Sequence, residues 1–135
     1  MKKVIPNVLS EEEAKHLIKN PKDETILKKI KKIIDDEIGP INWDKPSYIR
    51  VESNGHHSWH FDTGGKSYGN GHMAWCEYGC SVLLTQGDCG ELEYRDGTKL
   101  NHYLDLAIHS SDEEHRVTDY KGERVTLLAF VRSLK

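Results

Sequence analysis

Beyond residue 46 the chain is written in short β-rich stretches separated by turn signals, and this punctuation restricts its fold more than any other feature. Stretch 47–51 reads Ser-Tyr-Ile-Arg-Val, and 58–62 follows the strong turn dipeptide Asn54-Gly55. Stretch 80–85 is a short apolar run, and 91–94 alternates before Asp96-Gly97. Stretch 102–109 sets Tyr103, Asp105 and Ala107 against Leu104, Leu106 and Ile108, and 124–131 is a long run of β formers. Strands this short, joined by turns and not by helical crossovers, predict a mainly β barrel or jelly roll and argue against a βαβ sheet.

Helices come first. Ser10 with Glu13 three residues later is a capping-box pattern, and Leu9 can staple the helix start. That helix is expected to run to about Asn20, where Pro21 stops it. A second helix is expected over 23–38, with Gly39 as its stop. Ile26, Leu27, Ile30, Ile33, Ile34 and Ile38 form an apolar stripe at helical spacing. Lys28, Lys29, Lys31 and Lys32 lie on or beside the opposite face and read as a solvated surface.

A chain of 135 residues fits one domain, spanning 1–135, with helices at about 10–38 and a β core at about 47–133. It can bury a core without disulfides or a structural metal. A net charge of −3 gives no general pull towards nucleic acid or membrane surfaces. No hydrophobic leader and no bilayer-length apolar stretch is visible. Three cysteines cannot all pair with one another, so a reducing, cytoplasmic setting is expected.

The chemistry-bearing signal is His60-Phe61-Asp62. Residues two apart on a strand share a face, so this imidazole and carboxylate would point the same way. A second His from a distant strand would complete a two-His-one-carboxylate triad, the ligand set of non-haem Fe(II) oxygenases. His115 can supply it, although Asp112, Glu113 and Glu114 precede it and could also ligate. His56, His57, His72, His102 and His109 compete as well, but each reads as a surface or loop residue.

Four pieces carry a family resemblance: His60-Phe61-Asp62, Gly90-Glu91-Leu92-Glu93-Tyr94, His115-Arg116-Val117 and Gly122-Glu123-Arg124-Val125. With the Ile5-Pro6-Asn7 start and the helix opening on Val8-Leu9-Ser10-Glu11, the chain resembles the 2-oxoglutarate/Fe(II)-dependent dioxygenases, in particular their prolyl-4-hydroxylase-like group. The resemblance implies a double-stranded β-helix (jelly-roll, cupin-like) core, with the two N-terminal helices packed outside the major sheet. It implies Fe(II) held by His60, Asp62 and His115, with 2-oxoglutarate as co-substrate and O2 as oxidant. It further implies hydroxylation of an unactivated carbon with release of succinate and CO2. A prolyl residue of a peptide or protein is the expected target; a small-molecule substrate stays open.

Arg124 opens an otherwise apolar strand and needs an anionic partner, because an unpaired buried charge is costly. A guanidinium grips a carboxylate with two parallel hydrogen bonds, and the resemblance supplies one: the C5 carboxylate of 2-oxoglutarate. Arg124, Thr126 and Leu128 share one strand face and Val125, Leu127 and Ala129 the other. Arg116, next to His115, should point away from the metal. The family often places a co-substrate-binding Tyr on the strand before the metal motif. Here Tyr48 is the nearest candidate, while Arg50 stands close to the expected place on the same face.

The stretch 63–79 is rich in glycine and carries Tyr68, Trp75 and Tyr78, which suits a loop covering the substrate. His72, Cys76, Cys80 and Cys89 offer zinc ligands, but at no common spacing. Two other classes therefore stand beside the dioxygenase. One is a metal-binding cupin without 2-oxoglutarate, acting as sensor or isomerase, which leaves Arg124 without a role. The other is a zinc-stabilised interaction module.

Overall fold

Ten elements make up the computed structural model, which describes residues 1–63 and 73–134. In chain order they are β1 (Lys2–Ile5), α1 (Glu11–Lys19), α2 (Glu24–Ile38), β2 (Tyr48–Ser53), β3 (Tyr78–Leu83), β4 (Leu92–Tyr94), β5 (Lys99–Leu100), β6 (Leu106–Ser110), β7 (His115–Val117) and β8 (Val125–Val131). The strands form two antiparallel sheets, a larger one ordered β1-β6-β3-β8-β2 and a smaller one ordered β5-β4-β7.

The helices begin and end where local chemistry dictates. The Glu13 amide donates to Ser10 Oγ at 3.0 Å, and the Ser10 amide donates to Glu13 Oε1 at 2.9 Å, closing the capping box. Such a cap contributes about 1 kcal/mol. The Asp23 carboxylate caps α2 through the Ile26 amide, and Gly39 terminates it. Ile26, Leu27, Ile30 and Ile34 are buried in one cluster with Val82, Leu106, Ile108, Val125 and Leu127 of the larger sheet. The helices thus cover one face of that sheet, and each buried aliphatic side chain contributes roughly 1.5–3 kcal/mol. On the polar side of α2, Lys29 pairs with Glu13 at 2.8 Å and Lys32 with Asp36 at 3.3 Å. No helix among the described residues is long and apolar enough to cross a membrane.

Alternation along β8 divides the molecule. Val125, Leu127, Ala129 and Val131 enter the helix-side core. Thr126, Leu128 and Phe130, with Arg124 just before the strand, line a cleft on the opposite face. Registers carry the pattern across the sheet: Glu52 pairs with Thr126, Arg50 with Leu128, and Gly79 with both Phe130 and His109.

Several elements differ from the sequence expectation. Stretch 58–62 is not a strand: it meets β7 through one bridge, with paired His60–His115 backbone hydrogen bonds of 2.9 and 3.0 Å. The strand expected over 102–109 starts only at Leu106, because Asn101 and Leu104 take positive φ (78° and 67°) and turn the chain. Strands β1, β5 and β7 were not anticipated; each has four residues or fewer, too short to show a period. Tyr78 and Gly79, read with the expected covering loop, belong to β3, and residues 64–72 of that stretch lie outside the described residues. Tyr68 and His72 lie outside the described residues.

Candidate metal and co-substrate site

His60, Asp62 and His115 come together in the lining of the cleft, their ligand atoms all within 4.8 Å of one another. Asp62 Oδ1 lies 3.1 Å from His115 Nε2 and 3.7 Å from His60 Nε2. Donors about 2.1 Å from a common metal and at right angles to each other stand roughly 3 Å apart, so these edges suit one octahedral face. No other group of three His, Cys, Asp or Glu side chains among the described residues gathers in this way.

Backbone carbonyls set both imidazoles. His60 Nδ1 donates to the Ser58 carbonyl at 2.6 Å, and His115 Nδ1 donates to the Glu113 carbonyl at 2.7 Å. A carbonyl only accepts, so the Nδ1 proton is fixed and Nε2 becomes the metal-directed atom. Burial, the largest influence on His60, takes its imidazole down to about 4, and the neighbouring His115 pushes the same way. The neutral form is the one that ligates a metal. Burial opposes ionisation of Asp62, but His109 and then His115 outweigh it and hold the carboxyl far below the usual carboxylate range. Burial favours a neutral His115 too, but its contacts with Asp62 outweigh burial and raise its pKa, so a metal binding there would displace a proton. Two imidazoles and one carboxylate form a donor set that fits Fe(II).

Behind Asp62 lies a residue that sequence reasoning misplaced. His109 is not a surface or loop residue: its side chain is 5% exposed, and Nε2 approaches Asp62 Oδ2 at 2.5 Å. Its Nδ1 meets the Tyr94 hydroxyl at 2.8 Å. The face parity of 102–109 held the clue, because His109 follows Asp105 and Ala107, and Ala107 packs with Leu92 and Tyr94 on the cleft side of the sheet. Gly79 is the other unforeseen member. A Cβ there would come within 2.6 Å of His109 Nε2 and closer still to Asp62 Oδ2.

Arg124, also in the lining of the cleft, is 4% exposed. Its Nη1 donates to the carbonyls of Cys89 (2.9 Å) and Gly90 (3.2 Å), and its Nη2 to Asn101 Oδ1 (2.6 Å). All three acceptors are neutral, and no Arg124–carboxylate ion pair forms among the described residues. Burial lowers the guanidinium's pKa, so this charge is held at a cost and calls for an anion in the cleft. The bend at Asn54 anchors the position, since the Arg124 amide donates to Asn54 Oδ1 at 3.0 Å.

The remaining sequence candidates fall in different places. Arg116 points away, pairing with Glu93 at 2.7 Å and lying 4.8 Å from the centroid of the Trp59 ring. Tyr48 packs on Phe130 and Trp75, with ring centroids 5.5 and 6.3 Å away, and is not a lining residue of the cleft. Arg50 and Glu52 of the same strand do line it, beside His57, which contacts Glu52 at 2.9 Å. Glu113 and Glu114 are engaged by Lys2 and Arg95, each at 2.8 Å. Cys76, Cys80 and Cys89 are buried free thiols and gather in no metal-binding group with other described residues. Burial pushes the Cys76 thiol up to about 12.

No protein-family model matches the chain, and no curated protein does. Solved structures do. The viral collagen prolyl hydroxylase of Paramecium Bursaria Chlorella virus-1, in a 2OG complex, aligns with TM-score 0.72 at 13% identity, over 99% of this chain and 96% of its own. A Pseudomonas putida prolyl-4-hydroxylase aligns with TM-score 0.64 at 12% identity, over 99% and 93%. Prolyl 4-hydroxylase of Phytophthora capsici aligns with TM-score 0.56 at 16% identity, over 99% of this chain and 48% of that one.

Proposed function

The chain has the jelly-roll fold of the prolyl 4-hydroxylases and other 2OG-Fe(II) oxygenases, and we propose that it shares their reaction class. On this reading it is an Fe(II)- and 2-oxoglutarate-dependent dioxygenase that hydroxylates an unactivated carbon. One observation carries the reading: the His60–Asp62–His115 cluster and the buried Arg124, with no carboxylate partner among the described residues, open into the same cleft.

His60, Asp62 and His115 would hold the iron, and when bound it would supply dioxygen activation coupled to decarboxylation of the co-substrate to succinate and CO2. The protein's own groups do the rest. Arg124 would receive the distal carboxylate of 2-oxoglutarate, its guanidinium aimed by Asn101 and the Cys89 and Gly90 carbonyls. Leu92, Val117, Leu128 and Phe130 give the cleft apolar walls that keep water from the chain between the two carboxylates. The cleft is partly open to solvent.

A prolyl residue of a peptide or protein is the proposed target, supported by the prolyl hydroxylases among the structural neighbours. Arg50, half-exposed at the place expected for the family's Tyr, would sit at the substrate side of the cleft. A cupin that binds metal without 2-oxoglutarate would leave Arg124 buried with no purpose. The deciding experiment is succinate release from Fe(II)-loaded protein over a panel of prolyl peptides and small metabolites. Prolyl-peptide-dependent succinate with a mass gain of one oxygen supports the proposal. Metal binding without any 2-oxoglutarate binding refutes it.

A further inference from the structure

Asp62 has two oxygens, and the structure treats them differently. Oδ1 faces His60 and His115. Oδ2 faces the opposite way, 2.5 Å from His109 Nε2. The geometry points to His109 as a positioning residue for the metal-binding carboxylate, holding Oδ2 so that Oδ1 alone is presented to the metal. This inference rests on the metal site proposed above.

The tautomer follows from the chain of contacts. Tyr94 is 1% exposed, and its hydroxyl lies 2.8 Å from His109 Nδ1. A hydroxyl that donates to Nδ1 leaves the proton of a neutral imidazole on Nε2, where it donates to the carboxylate. Both ring nitrogens of His109 are then committed, so His109 is not a fourth ligand although its ring centroid lies 4.2 Å from that of His115. The sheet is shaped around this contact. Gly79 stands directly opposite His109 in the β3–β6 register, and only its missing side chain leaves room for the hydrogen bond. A carboxylate free to rotate can chelate with both oxygens and occupy a coordination position that co-substrate or dioxygen needs. With Oδ2 committed to His109, that rotation would break a buried hydrogen bond. Partners of this kind typically change metal affinity by about 10–100-fold when removed.

The test uses Co(II) alone as the probe, on the full chain. Wild type should bind one equivalent, and Asp62→Ala should bind none. His109→Leu should weaken Co(II) binding by about tenfold or more and alter the visible Co(II) spectrum, which reports coordination number. His109→Gln keeps an N–H donor and should restore affinity and spectrum towards wild type. Tyr94→Phe keeps the buried ring, removes the hydroxyl that sets the tautomer, and should move both readouts in the direction of His109→Leu. It also serves as the informative variant if His109→Leu does not fold. Wild-type affinity and spectrum in a folded His109→Leu, or in Tyr94→Phe if it does not fold, would overturn the inference. So would a His109→Gln that binds as poorly as the Leu variant, because the effect would then be packing. If wild type binds no metal at all, the metal-site reading falls and this inference with it. That outcome is distinct, because the first two leave wild-type binding intact.

Discussion

Gly79→Ala adds a single methyl group, and the structure places it where no space exists. The new Cβ would lie 2.6 Å from His109 Nε2, 3.1 Å from Asp62 Cγ, and nearer still to Asp62 Oδ2. Ordinary contacts to a Cβ are 3.4–4 Å, so relief requires a shift of about 1 Å. Gly79 sits mid-sheet, paired to His109 on one side and Phe130 on the other, and cannot retreat without breaking ladder bonds. Asp62 and His109 must therefore move. Overpacking of this kind costs about 1–3 kcal/mol. The lower entropy of the unfolded Ala chain returns about 0.4–1 kcal/mol. A net loss of roughly 1–2 kcal/mol follows. The larger effect should fall on the metal, because a ligand displaced by about 1 Å no longer meets its site. We expect Fe(II) affinity in anaerobic titration to drop at least about tenfold, while urea unfolding of the metal-free protein remains cooperative. Metal affinity within a factor of about two of wild type would refute the reasoning, because Asp62 would then not need the space that glycine leaves.

Asp62→Ala should abolish metal-dependent turnover and one-equivalent metal binding by elemental analysis, with the circular dichroism of the metal-free protein retained. Arg124→Met should weaken 2-oxoglutarate binding by about 2–5 kcal/mol in calorimetry with much less effect on iron. Its loss also strips a donor from two buried acceptors and one part-buried acceptor, so stability should fall by about 1–3 kcal/mol. Arg124→Lys should keep part of the affinity, since it retains the charge but not the planar fork. Ile30→Ala, 1% exposed under the larger sheet, should cost about 2–5 kcal/mol in denaturant unfolding and leave 2-oxoglutarate affinity unchanged in the folded protein.

Much of the architecture is readable because its causes are local. The Ser10/Glu13 box, the Asp23 cap and the Gly39 stop act within a few residues, so both helices fall within a residue of expectation. The β8 run is long enough for its two faces to separate by alternation alone. The unread parts depend on neighbours distant in sequence. Strand β7 has three residues and exists because β4 pairs with it. Stretch 58–62 has a strand's composition, but its only ladder contact among the described residues is the His60–His115 bridge, so it remains a loop that happens to turn His60 and Asp62 the same way. Gly79 looked like a loop hinge because its neighbours 64–72 are glycine-rich; its reason lies across the sheet, in Asp62 and His109. The parity of His109 with Ala107 is local, but the burial of that face, which leaves β6 buried on both faces, is not, because it comes from Leu92 and Tyr94 of β4.

That burial on both faces explains how so short a chain can carry a polar site. Strand β6 lies between β1 and β3, sending Leu106 and Ile108 to the helix-side core and Ala107 and His109 towards the cleft. Strand β8 makes the same division between Leu127 and Thr126. The hydrophobic driving force is thereby concentrated on the helix side, where aliphatic residues pack without polar atoms. The cleft side then has to meet a different requirement: each buried polar group needs a partner, because an orphan costs about 1–3 kcal/mol. The structure meets it in pairs, His109 with Asp62 and Tyr94, Arg124 with Asn101, and Asn101 with Ser81, and no buried side-chain N or O among the described residues lacks a hydrogen bond. These pairings satisfy hydrogen bonds and leave two charges balanced only in part, with Asp62 facing three imidazoles and Arg124 facing neutral acceptors. A metal cation answers the first and a dicarboxylate the second, so the groups left over after folding are the ones that the proposed reaction uses.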